Sequence, residues 1–127
     1  MWKKASAVAG LAALTLSSTA WAGGQGTFPV VINTTNNTLE GSFGSARHSS
    51  DPLQSLDVGF MVGNGYYYAF IFAFDATGTM GACTTTNRDM IEILKAASPD
   101  SYIKVYHDGR GTCLDVEMRK ASYLEPK

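Results

Sequence analysis

Nine consecutive residues, Tyr66-Tyr67-Tyr68-Ala69-Phe70-Ile71-Phe72-Ala73-Phe74, form an unbroken apolar and aromatic run between two turn signals. Gly63-Asn64-Gly65 precedes it and Asp75-Ala76-Thr77-Gly78 follows. Aromatic and β-branched residues dominate and no strong helix former does, so the run predicts one long strand. Alternate strand residues point to opposite faces. Tyr66, Tyr68, Phe70, Phe72 and Phe74 therefore share one face, and Tyr67, Ala69, Ile71 and Ala73 share the other. Small residues on the second face admit a close-packed helix, which leaves the aromatic face in need of other cover. Two readings stand side by side. Either the N-terminal segment, Phe28 to Ile32 with Phe43, folds over the aromatics or the sheet curls on itself, or the face is exposed and lines a contact surface for a partner, a ligand or a second copy of the chain.

The flanking sequence supplies the rest of a sheet. Thr27 to Ile32 has strand composition, with Pro29 confining it to an edge, and Asn33 to Thr38 is a turn-rich tract suited to a linker or a hairpin top. Gly41 to Arg47 reads as extended, and His48 to Pro52 as a turn. Gln54 to Val62 predicts a strand that pairs with the aromatic run through Asn64-Gly65, where positive φ is tolerated, and Thr79 to Thr85 predicts the next strand. The period then changes. Thr86 or Asn87 suits a helix N-cap, Asp89 complements the first turn, and Met90, Ile91, Leu94 and Ala97 fall on one face until Ser98-Pro99 ends the helix. Ser101 to His107 and Thr112 to Arg119 flank Asp108-Gly109 as a second hairpin, the last strand with one wet face. The pattern predicts an α+β fold with a mainly antiparallel β-sheet: a meander, one helix and a C-terminal β-hairpin.

The start of the chain has a different character. Met1-Trp2-Lys3-Lys4, an apolar run from Ala5 to Leu16 and Ala20-Trp21-Ala22 have the order of an export signal cleaved after Ala22, and the apolar run is too short to span a bilayer. Residues 1–22 are thus expected to be a signal peptide, 23–40 a flexible N-terminal segment with an edge strand, and 41–127 a single α+β domain. The expected compartment is the periplasm or the exterior, with no membrane span after cleavage. In such a compartment an even cysteine count reads first as a disulfide, here Cys83 with Cys113. No C-x-x-C or haem motif is present to support a metal or redox site. Beyond residue 22 the chain carries eight basic and eleven acidic side chains. The basic residues are dispersed, which argues against nucleic acid.

Candidate chemistry is sparse. Arg47-His48-Ser49-Ser50-Asp51 gathers a base, hydroxyls and a carboxylate, but working triads draw their members from distant positions, and no G-x-S-x-G elbow occurs. His107 beside Asp108 is more simply a hairpin turn. Asp57, Asp75, Asp115 and Glu117 lack the spacing of a calcium loop, and Gly63-Asn64-Gly65 does not open a helix as a phosphate loop would. Nothing in the spacing points to a cofactor or a metal.

Gly41-x-x-Gly44-x-Ala46-Arg47-x-Ser49-x-Asp51-x-x-Gln54, with Asp75-Ala76-x-Gly78, Ser101-Tyr102-Ile103, Gly111-x-Cys113 and Ser122-Tyr123-x-x-Pro126-Lys127, resembles small exported proteins of proteobacteria. The resemblance covers the chain from about Gly41 onward. It implies a free-standing secreted or periplasmic domain and supplies no catalytic residue. Such relatives often carry further cysteines near the positions of Val58 and Phe72.

The expected function is that of an exported binding or interaction module, more in keeping with a non-enzyme, contacting a protein or small molecule through Tyr66, Tyr68, Phe70 and Phe72. A small hydrolase using Arg47, His48 and Asp51 is the alternative from another class. A structural envelope oligomer, such as a homodimer, is a third.

Overall fold

Two antiparallel sheets and two short helices are built from Gly26–Leu124, the residues described in a computed structural model of the chain. In chain order they are β1 (Val31–Asn33), β2 (Thr38–Ser42), α1 (Phe43–Arg47), β3 (Ser55–Gly63), β4 (Tyr66–Phe74), β5 (Met80–Thr85), α2 (Arg88–Lys95), β6 (Tyr102–His107) and β7 (Cys113–Arg119). The expected signal peptide, residues 1–22, lies outside the described residues.

The meander is β3-β4-β5, and the second sheet has the order β1-β2-β6-β7. The fold is α+β and mainly antiparallel. Asn64-Gly65 joins β3 to β4 with Gly65 at φ +86°, a conformation that L side chains rarely adopt. The next turn is organised by Asp75, which accepts hydrogen bonds at Oδ1 from Thr77 N (2.9 Å), Thr77 Oγ1 (2.7 Å) and Thr79 N (2.9 Å). Asn33 to Thr38 is a hairpin top rather than a linker, and β1 is an edge strand.

The inner faces of the two sheets make the core. Ala69, Ile71 and Ala73 of β4 and Cys83 of β5 join Leu39 of β2 and Ile103 and Val105 of β6 in one buried cluster. α2 adds Ile91 and Leu94, both essentially without exposed surface. Its N-cap is Asn87, whose Oδ1 accepts from Met90 N at 3.0 Å. Along β7, Asp115, Glu117 and Arg119 are exposed while Val116 and Met118 pack on the core, which is the expected wet face. Leu114, expected on the apolar face, is exposed instead, because the register shifts there and leaves it without a partner on β6.

The Cys83–Cys113 disulfide ties β5 to the start of β7. Beside it, Thr84 N donates to Gly111 O at 2.8 Å, so the two sheets are joined at this corner by both a covalent bond and a backbone bridge.

One local reading changes. Gly41 to Arg47 is not extended throughout, because α1 begins at Phe43, a second helix beyond the one expected. Ser42 is its N-cap: Ser42 Oγ accepts from Ser45 N at 3.1 Å and donates to Ser45 Oγ at 2.8 Å. Ser45 Oγ also accepts from Phe28 N at 2.9 Å, which anchors the N-terminal segment to this helix. Val30 and Leu39, on the N-terminal side of residue 41, are both in the core cluster.

Candidate functional site: the aromatic hairpin

The two-residue turn at Asn64-Gly65 sets the register of β3 on β4, and the register decides what each aromatic meets. Residues directly opposite in an antiparallel pair share a face. Gly63 faces Tyr66, Met61 faces Tyr68, Gly59 faces Phe70, Asp57 faces Phe72 and Ser55 faces Phe74. From the other side, β5 sets Thr84, Ala82 and Met80 against Phe70, Phe72 and Phe74. The strand divides as its parity predicts: Ala69, Ile71 and Ala73 are buried, while Tyr68, Phe70, Phe72 and Phe74 are half-buried and Tyr66 is exposed.

The N-terminal segment does not lie over the aromatics. Phe28 packs edge-on against Tyr102 at 5.7 Å and tilted on Tyr123 at 5.8 Å, while Ile32 and Phe43 pack on the core cluster. The small residues of the inner face are the reason. A Cβ at Gly81 would stand 3.1 Å from Ile32 Cδ1 and 3.3 Å from Leu39 Cδ2, so the apolar side chains of β1 and β2 fill the space that Gly81 leaves.

The aromatic face is instead partly closed by its own strands. The Phe70 ring lies over Gly59 and the Tyr66 ring over Gly63, where a Cβ would stand 2.1 Å and 2.5 Å from the respective Cζ atoms. Phe72 and Phe74 meet edge to face at 5.1 Å, and the rings of Tyr66 and Tyr68 are tilted to each other at 6.1 Å.

Toward the turn, both faces of the hairpin come into solvent. Phe60 is 40% exposed, Met61 43%, Val62 73% and Tyr66 50%, so apolar side chains of both parities are open at one end of the molecule. An open depression of about 710 Å³ lies there, lined by Val62, Tyr66, Tyr67, Tyr68 and Arg88 among others. The Arg88 guanidinium stands 5.8 Å from the Tyr67 ring centroid, within cation–π range.

The other candidates resolve into turns. Asp51 accepts from Leu53 N (2.9 Å) and Gln54 N (2.8 Å) at Oδ1 and from Gln54 Nε2 (2.7 Å) at Oδ2. The Gln54 amide holds this carboxyl below its ordinary range. Gln54 Oε1 in turn accepts from Val30 N at 2.9 Å, so the group builds a loop and anchors the N-terminal segment. Arg47 ends α1 and His48 is its C-cap, with His48 N donating to Gly44 O at 3.0 Å. His107 Nδ1 accepts from Gly109 N at 3.0 Å, and Asp108 Oδ1 accepts from Arg110 N (2.7 Å) and Thr112 N (3.0 Å). Asp57 and Asp75 belong to the meander, Asp115 and Glu117 to the second sheet. Among the described residues no group of three or more His, Cys, Asp or Glu is placed to hold a metal ion. Among them, too, no helix is long and apolar enough to cross a membrane.

One polar feature escapes the sequence. The Tyr102 hydroxyl donates to Glu40 Oε2 across a gap of 62 residues, on the face of the second sheet away from the core. Burial, then the hydrogen bond to Glu40, pushes the phenol well above its usual range. No local signal marks the pair, because it depends on how β2 and β6 register.

Compared with family models, curated proteins and solved structures, the chain matches none.

Proposed function

We propose that this protein works outside the cytoplasm, in the periplasm or beyond the cell, as a binding module. Its contact surface is the β3–β4 hairpin: the aromatic row Tyr66, Tyr68, Phe70 and Phe72 together with the apolar end. The order of charged, apolar and small residues over 1–22 supports export, and the disulfide is compatible with it. The observation that carries the contact surface is the contiguous exposure of Phe60, Met61, Val62 and Tyr66. A contiguous apolar patch in solvent is often functional.

Site-specific photocrosslinking in a bacterial periplasm tests this reading. A benzophenone side chain at Val62 is expected to give a discrete adduct of higher mass, and the same group at Asp115, on β7, none. An adduct of twice the chain's mass would assign the surface to a homodimer. No adduct at Val62, or equal yields at both positions, would overturn the proposal.

A further inference from the structure

Four strand edges border the two sheets, and three of them are protected. β1 is three residues long, β5 is bridged to Thr112 beside the disulfide, and β7 carries Asp115, Glu117 and Arg119. The fourth, β3, is nine residues long, contains no proline or lysine, and has Asp57 as its sole charge. Its backbone pairs with β4 and α1 packs against it, but no loop or turn among the described residues makes a backbone hydrogen bond to its other edge. Residues Phe60 to Gly63 are all exposed.

Beside this edge, on the inner side of β3, lies a depression of about 320 Å³. Phe43, Val58, Phe60 and Leu94 give it an apolar lining, Arg47 and Lys95 add two cations, and no carboxylate lines it. Arg47 has no ion pair among the described residues. Lys95 keeps one exposed pair with Glu92 at 3.3 Å, which such geometry makes weak.

We infer that the β3 edge receives an extended segment of a different polypeptide, added as a fourth strand, with an apolar side chain and a carboxylate two positions apart. This rests on the reading of the hairpin as a contact surface and names the partner's chemistry. Unpaired backbone groups select an extended chain. Strand periodicity sends residues i and i+2 to the same face, so an apolar side chain entering beside Phe60 places the next same-facing residue within the reach of the cations. Charge also selects against a second copy. In an antiparallel β3–β3 pair that continues the sheet, Asp57 stays on the outer face with Phe72, where it cannot meet Arg47 or Lys95. Each copy would instead bring two more cations to the seam.

The test uses the oxidised full-length mature protein and an acetylated, amidated peptide of alternating valine and threonine with leucine and glutamate two positions apart. Hydrogen exchange at up to millimolar peptide is expected to show new protection of alternate β3 amides, and fluorescence anisotropy a saturable curve. Replacing the peptide glutamate by glutamine, or Arg47 and Lys95 together by alanine, is expected to weaken binding about tenfold or more, whereas Asp115→Ala leaves it unchanged. Unprotected β3 amides, or binding indifferent to both changes, would overturn the inference. Protection of β3 without peptide, in a species that light scattering shows to be a dimer, would overturn it in favour of a second copy. Photoadducts at Val62 with unprotected β3 amides would retain the contact surface and reject only the added strand.

Discussion

Phe70 and Gly59 face each other across β3 and β4 so closely that a methyl group on Gly59 could not fit under the ring. Gly59→Ala is therefore expected to displace the ring and destabilise by about 1 to 3 kcal/mol. In a Phe70→Ala background the same change should be nearly neutral, because the obstacle is gone. Urea unfolding of the four proteins gives the coupling, expected at about 1 to 3 kcal/mol. Additive effects would mean that the ring does not rest on the glycine in solution.

The two faces of β4 should answer differently to truncation. Ile71 is 1% exposed, so Ile71→Ala is expected to cost about 2 to 5 kcal/mol. Tyr66 is 50% exposed and Tyr66→Ala should cost roughly 1 kcal/mol or less. Chemical denaturation of both variants checks the order, and a larger loss at Tyr66 would show that its face is covered in solution.

Reducing Cys83–Cys113 opens a loop whose ends are 30 positions apart. Loop entropy gives an expected loss of about 3.5 kcal/mol. The Thr84 amide, bonded to Gly111 beside the disulfide, should lose exchange protection before the amides of β4 do. Denaturation with and without reductant measures the first effect and hydrogen exchange the second. An unchanged midpoint would show that the backbone bridge alone holds the corner.

Acid and alkali should act through different groups. Asp75 and Asp108 are held below the ordinary value of 3.8, Asp75 first by the Thr77 hydroxyl and Asp108 first by the Thr112 amide. Their depressed folded-state values make the stabilisation complete above that pH and progressively lost as pH falls below it. Asp75→Asn with Asp108→Asn should flatten this limb. Tyr102 has the opposite sign of pH dependence. Its raised value leaves the stabilisation intact below pH 10.0 and lost as pH climbs beyond it, so Tyr102→Phe should flatten the alkaline limb. Thermal unfolding across pH reads both, and unchanged limbs in the variants would reject the assignments.

The elements most legible in the sequence are those whose signals are local. Tyr66 to Phe74 is bounded by turns on both sides, and Asn87 caps a helix with one clear apolar face; both stand where the residues place them. α1 escaped because five residues are too few to show a helical period and its cap, Ser42, sits among other small residues. The division into two sheets was illegible, since pairing of β2 with β6 depends on contacts distant in sequence. The parity of β4 could be read, but what lies over each face could not. Gly59 under Phe70 had a usable signal: once Asn64-Gly65 is taken as a two-residue turn, counting outward from Gly63 and Tyr66 brings these two residues opposite.

The pairing of β2 with β6 has a further consequence for how the molecule comes into being. Glu40 and Tyr102 meet across 62 residues, and everything between them is made first. The chain emerges N-terminus first, so β3, β4 and β5 can pair with immediate neighbours, whereas β2 waits for a strand still to follow. The second sheet is completed late, and until then the inner face of the meander has no second sheet to pack against. Substitutions that weaken the β2–β6 seam should therefore act most strongly on the yield of folded protein, by lengthening the interval in which that face is open to aggregation.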